Sequence, residues 1–175
     1  MTEHDPRCDV SDQQILDEVA NHGWHVMNVL DLPDSPGWAY SIGLYQNFNH
    51  PEVVVFGLNS ELMHSIINSV GDDVRSGKCF EDGKQYSELI EAYQCTFKTV
   101  NAVWYYPFLG YANWYYKGAD YPVLQCIWPD KKSLYPWDTD FNPNWLYAQP
   151  LLFHTEASCA LATDFLKSMD LNPAD

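Results

Sequence analysis

The sequence predicts an α+β fold: one compact domain built on a mainly antiparallel sheet, with helices near the N-terminus, in the middle and at the C-terminus. Three observations lead there. Short runs of β-branched and aromatic residues recur between clusters of turn residues. Separate stretches repeat apolar residues at three and four positions. Strands and helices mix without the regular alternation of a parallel βαβ sheet. A chain of 175 residues suits a single domain and buries enough surface for one core without disulfide or metal support.

The elements follow in order. Ser11 is placed to cap a helix over residues 12–22, in which Ile15, Leu16, Val19 and Ala20 share a face and Gly23 provides a left-handed stop. Strands are expected at 24–30 ("WHVMNVL"), 38–44 ("WAYSIGL") and 52–58 ("EVVVFGL"), adjacent as a meander. A second helix begins at Ser60 and carries Leu62, Met63, Ile66, Ile67, Val70 and Val74, with Gly77 at its end. Alternation around Tyr93, Cys95, Phe97 and Thr99 predicts a strand over about 92–104, and 107–118 reads as a helix weakened by Gly110. "VLQCIW" at 123–128 is a further strand, 138–150 is irregular, and a helix capped by Thr155 carries Leu161, Phe165 and Leu166 inward. The predicted organisation is a flexible N-terminus at 1–10, the α+β domain at 11–140, and an extension at 141–175 whose helix packs on that domain.

Composition excludes several functions. With 24 acidic and 9 basic residues the formal charge is −15, and Lys131-Lys132 is the only basic pair, so nucleic acid is not an expected partner. The longest apolar run, around "VVVFGL", is far short of a membrane span. Five cysteines without a C-x-x-C spacing, behind a polar and acidic N-terminus, point to a reducing cytoplasm.

Four motifs, "GWHVMNVLDLPDSPGWAYSIGL", "HPEVVVFGL", "YYPFLGYANWYY" and "LQCIWPDKKSLYPW", stand in this order over about residues 11–140. Together they resemble the bacterial family of domain of unknown function 4262. The resemblance implies a compact cytoplasmic α+β domain and brings no activity, cofactor or catalytic residue with it. The helix after Thr155 lies outside it.

The candidate chemistry starts at "NHPEVVV". His50 and Glu52 are two apart in an extended segment, which puts an imidazole and a carboxylate on one side, as an acid and base pair or as two metal ligands. The plain alternative is a turn-capping histidine beside a solvated strand start. The P-C-x-x-C partner of the H-x-E pattern in zinc deaminases is missing. His22 and His25 flank a helix-ending glycine and need not converge. Ser41 lacks the G-x-S-x-G setting of a nucleophile and reads as a small strand residue. Neither G-x-G-x-x-G nor a phosphate-binding P-loop occurs, so no cofactor is indicated by motif. Cys126 reads as an inert buried thiol.

Trp128-Pro129 and Pro136-Trp137 bracket a charged turn, with Asp130 placed to fold back on its own backbone. Indole rings of this kind form structural corners or the walls of ligand pockets. On the pocket reading, Tyr40, Ser41, Tyr115, Gln125, Trp128, Asp130 and Trp137 bind a planar, nucleotide-like molecule, with His50 and Glu52 as its catalytic pair. A second reading takes the acidic charge at face value, as an interaction or inhibitor protein for a basic partner. A flavin- or metal-dependent enzyme ranks last.

Overall fold

The structure is a computed structural model that describes residues 11–155. The expected N-terminal flexibility and the helix after Thr155 lie outside the described residues. Among the described residues six strands form one mixed sheet in the order β1-β2-β3-β6-β5-β4: β1 (His25–Val29), β2 (Trp38–Ile42), β3 (Glu52–Phe56), β4 (Gln85–Ile90), β5 (Tyr93–Thr99) and β6 (Val123–Ile127). Only β3 and β6 run parallel, with Glu52 beside Val123 and Val55 beside Cys126; all other neighbours are antiparallel. This is the expected α+β domain, and β1, β2 and β3 form the expected meander.

Helix α1 (Asp12–His22) starts where Ser11 Oγ accepts the Gln14 amide and stops at Gly23, whose φ of 113° lets its N–H reach the Glu18 and Val19 carbonyls. Helix α3 (Ser60–Arg75) is capped by Asn59 and seats Met63, Ile66, Ile67 and Val70 on one face of the sheet, against Val53, Val55, Phe97 and Cys126. Trp24 lies so close beneath α3 that a Cβ on Gly71 would stand 2.3 Å from its ring. The other face is covered by α1 and by two short helices, α4 (Tyr105–Phe108) and α5 (Gly110–Tyr116), which bury Phe108 and Tyr111 against Trp38, Tyr40, Val54 and Phe56. Every residue of β2, β3 and β6 is buried, as expected for strands covered on both faces.

Three expectations change. The helix over 107–118 is two helices, because Leu109 leaves helical geometry with φ −123° and ψ 37°. The strand over 92–104 ends at Thr99, and a 3₁₀ turn covers Ala102–Trp104. Strand β4 and the short helix α2 (Leu44–Phe48) are additions. β4 is an edge strand with mostly exposed side chains and an irregular register around Glu88, whose φ is 78°, so it shows no apolar alternation. No helix among the described residues is long and apolar enough to cross a membrane.

Candidate functional site

Glu52 opens β3 and is only 1 % exposed. Its carboxylate sits at the start of α2, where Gly43 turns the chain with φ 115°. The amides of Gly43 (2.8 Å), Tyr45 (3.2 Å) and Leu44 (3.3 Å) donate to it, as do the hydroxyl of Ser41 (2.5 Å) and the phenol of Tyr116. These five donors exceed the about four lone-pair positions a carboxylate offers, so none is left over. Among the described residues no cation forms an ion pair with it. Burial pushes the carboxyl above its ordinary value, against the hydrogen bonds from Ser41, Tyr116, Tyr45 and Gly43. The Ser41 oxygen also accepts the Val53 amide at 2.9 Å, just beyond the last β2–β3 backbone pair, Tyr40 beside Val54. The two strands part there, and Glu52 fills the opening.

His50 does not join Glu52. Its Nδ1 donates to the Pro51 carbonyl at 2.7 Å and its Nε2 accepts the Phe80 amide at 3.0 Å, so both ring nitrogens of a neutral imidazole are engaged. The ring meets Phe80, which belongs to the core beneath α3, whereas Glu52 is held by α2 and α5. Same-side projection of positions two apart needs extended geometry throughout, and β3 begins only at Glu52, after a left-handed Asn49 and the ring of Pro51. Burial pushes His50 below its ordinary pKa. With every lone pair and ring nitrogen occupied, neither group is free to take a proton from a substrate. Among the described residues no three His, Cys, Asp or Glu side chains come together as a metal-holding group.

The remaining predicted residues divide between two places. Tyr40, Ser41 and Tyr115 lie on the Glu52 side: Tyr40 accepts the Tyr111 amide, and Tyr115 donates to Gln46 Oε1 at 2.8 Å. Gln125, opposite Val54, clamps a strap of chain that crosses the sheet; its Nε2 donates to the Pro150 carbonyl and its Oε1 accepts the Leu152 amide. Trp128 follows the far end of β6 and donates from Nε1 to the Phe56 carbonyl at 2.7 Å. Four residues of strand, at about 3.3 Å each, put about 13 Å between that point and Glu52. The expected single cleft joining the histidine and glutamate to both tryptophans is therefore not formed.

The tryptophan bracket resolves into one ring inside and one outside. Trp128 is buried, while Trp137 is 44 % exposed and stacks on Tyr135 at 5.1 Å and 8° between planes, with its edge toward Phe153. Between them Asp130 folds back as its sequence predicts. Its Oδ1 accepts the amides of Lys132 (2.8 Å) and Leu134 (3.0 Å), and its Oδ2 the amide of Asn142 (3.2 Å). Asp138 caps Tyr135, Phe141 is buried beneath the loop, and the buried Gln149 both donates to and accepts from the Trp128 backbone. A 3₁₀ turn at Pro143–Trp145 sets Trp145 edge-on against Trp128 at 5.9 Å. Burial pushes the Asp130 carboxyl up, but the three amides and the nearby Lys132 hold it below its ordinary range.

Sequence reasoning missed Tyr116, Phe80 and Gln149, all distant along the chain from what they hold. The one local signal was Gly43 in "YSIGL", a glycine where the chain must turn left-handed ahead of a short helix.

Fold and site together define a mixed-sheet α+β domain whose central carboxylate is sealed by its own chain and whose aromatic surface sits on an ordered loop. Residues 18–142 match the family described as Domain of unknown function (DUF4262), and the chain belongs to that family. No curated protein and no solved structure matches it.

Proposed function

We propose that this chain is a binding protein that recognises a cationic partner protein through the loop between Pro129 and Gln149, in the cytoplasm of a bacterial cell. One observation carries the reading: Trp137, Trp145, Leu146 and Tyr147 are each exposed, all on one loop whose backbone is pinned from within by Asp130 and Gln149. Exposed aromatics on a pre-ordered loop lose little entropy on binding and supply the anchors that dominate protein interfaces. The charge of −15 supports a basic partner by steering it in and rejecting acidic competitors. Five cysteines without a C-x-x-C spacing support the reducing compartment.

The test compares the wild type with a Trp137→Ser, Leu146→Ser, Tyr147→Ser variant in affinity capture from the source cells. A basic protein retained by the wild type at low salt and lost by the variant is the expected result. Equal recovery by both, or recovery of nothing, overturns the proposal.

A second reading rests on a separate observation, the parallel stack of Tyr135 and Trp137 with the Lys98 ammonium 5.5 Å from the neighbouring Phe153 ring. A planar anionic ligand, nucleotide-like in its aromatic part, would extend that stack. It predicts a rise in Tm with heteroaromatic carboxylates or nucleotides that disappears in Trp137→Ala; no rise with any of them removes it.

A further inference from the structure

We propose that Tyr116 is a redox-active tyrosine, which loses one electron to a small radical oxidant while its phenol proton passes to Glu52. The inference is independent of the partner-binding loop.

Tyr116 lies at the centre of a group of rings. Its centroid is 4.6 Å from Tyr121 in a stacked pair, 5.0 Å from Tyr115 and 5.9 Å from Tyr45, and Tyr121 is 5.0 Å from Tyr105. Rings this close form a continuous path along which an electron vacancy can move. Hydrogen bonding decides where it comes to rest. A phenol that has lost an electron becomes a strong acid, and its neutral radical persists only where a base accepts the proton. Tyr105 donates to the Tyr121 carbonyl, Tyr121 to Asn113 Oδ1 and Tyr115 to Gln46 Oε1, all amide oxygens that cannot hold a proton at neutral pH. Of these four phenols, Tyr116 is the one that donates to a carboxylate.

The acceptor is prepared for the transfer. Ser41, Gly43, Leu44 and Tyr45 hold Glu52 in place, so the proton shifts along one existing hydrogen bond and no side chain has to turn. Burial raises the basicity of the carboxylate. The Gln46 amide, 3.4 Å from the Tyr116 oxygen, faces the oxygen that carries the radical. In the step, the Tyr116 O–H bond breaks, an O–H bond forms on Glu52, and the electron reduces an oxidant of the peroxyl or carbonate radical class. Tyr115 and Tyr116 are both half-buried, which leaves ring edges within reach of such an oxidant. A thiolate reductant returns the electron and departs as a thiyl radical, and Glu52 returns the proton.

The full chain is oxidised by a flash-generated ruthenium(III) polypyridyl complex and followed by optical absorption and electron paramagnetic resonance. A long-lived tyrosyl radical is expected in the wild type, formed more slowly in deuterium oxide, and lost in Tyr116→Phe but retained in Tyr106→Phe, which alters a 71 % exposed phenol. A nitroso spin trap followed by peptide mass spectrometry locates the radical in the wild type itself, so the test does not depend on how well Tyr116→Phe folds. Adduct at Tyr116 supports the proposal. A tyrosyl radical of unchanged yield and lifetime in folded Tyr116→Phe, an adduct confined to other residues, or a formation rate indifferent to deuterium overturns it.

Discussion

Glu52 and Asp130 are both carboxylates that gather three backbone amides, and they stand at opposite ends of the parallel β3–β6 pair. At Glu52 two hydroxyls complete the set and aromatic rings close over it, so burial wins and its pKa rises. At Asp130 the amides and the charge of Lys132 win and its pKa falls. The same device thus has different consequences. Glu52 closes a gap between two central strands and has no capacity left for a ligand, whereas Asp130 shapes a surface loop whose outer aromatics stay exposed. A buried carboxylate offers a place for an added ligand only when one of its lone pairs is unclaimed.

The comparison breaks first at Glu52. Replacing it by Gln turns an acceptor into a donor facing three fixed amides, and each buried group left unpaired adds a penalty, so Glu52→Gln is expected to destabilise by roughly 3–5 kcal/mol in urea unfolding. A loss under about 1 kcal/mol would show that the gap between β2 and β3 closes without it. Next is Trp128→Phe, which leaves the Phe56 carbonyl unpaired and a void beneath Trp145, at about 2–3 kcal/mol by the same measurement.

Acidification is expected to act on the Glu52 end. His50, and His25 paired to Glu18 at 2.6 Å, are both held below their ordinary pKa, chiefly by burial. The unfolded chain therefore takes up protons that the folded one refuses. Their stability is complete above the unfolded value of about 6.5 and is lost as pH falls from there through the folded values. Glu52, held above its ordinary value, contributes with the opposite sign. The check is therefore a difference: the urea midpoint of His50→Asn should change less between pH 7.5 and pH 5.5 than that of the wild type.

At the other end the effects are local. Asp130→Ala should remove the hydrogen-exchange protection of the Lys132, Leu134 and Asn142 amides while β3 amides keep theirs; loss of protection throughout would make Asp130 as central as Glu52. Smallest is Trp137→Ala, expected within about 0.5 kcal/mol of the wild type because the ring lies at the surface and belongs to neither core cluster. A larger loss would mean that Trp137 holds the loop rather than being presented by it.

How far the sequence could be read follows from how far apart the partners lie. Ser11, Gly23, Asn59 and the apolar face of α3 act within a few residues, and α1 and α3 were legible from them. The turn at Asp130 was legible for the same reason, since two of its amides lie within four residues. β4 was not, because an edge strand with exposed side chains and a bulge carries no apolar period. The site was half legible. "HPE" and "WPD…PW" pointed to residues that do hold the structure, but what they hold is set by chain folding. Tyr116 is 64 positions from Glu52, Phe80 is 30 from His50 and Phe56 is 72 from Trp128. Nothing in the local pattern tells a carboxylate awaiting a substrate from one already occupied by a distant tyrosine.

The parallel pairing of β3 with β6 also sets an order of assembly. During synthesis the N-terminal meander is complete at Phe56, but the strand that covers the outer edge of β3 begins only at Val123. Until then five residues, four of them apolar, present unpaired backbone to whatever is nearby. A chain truncated before Val123 should therefore aggregate or be held by a chaperone, and translation through those intervening residues is the interval in which this protein is most exposed to misassembly.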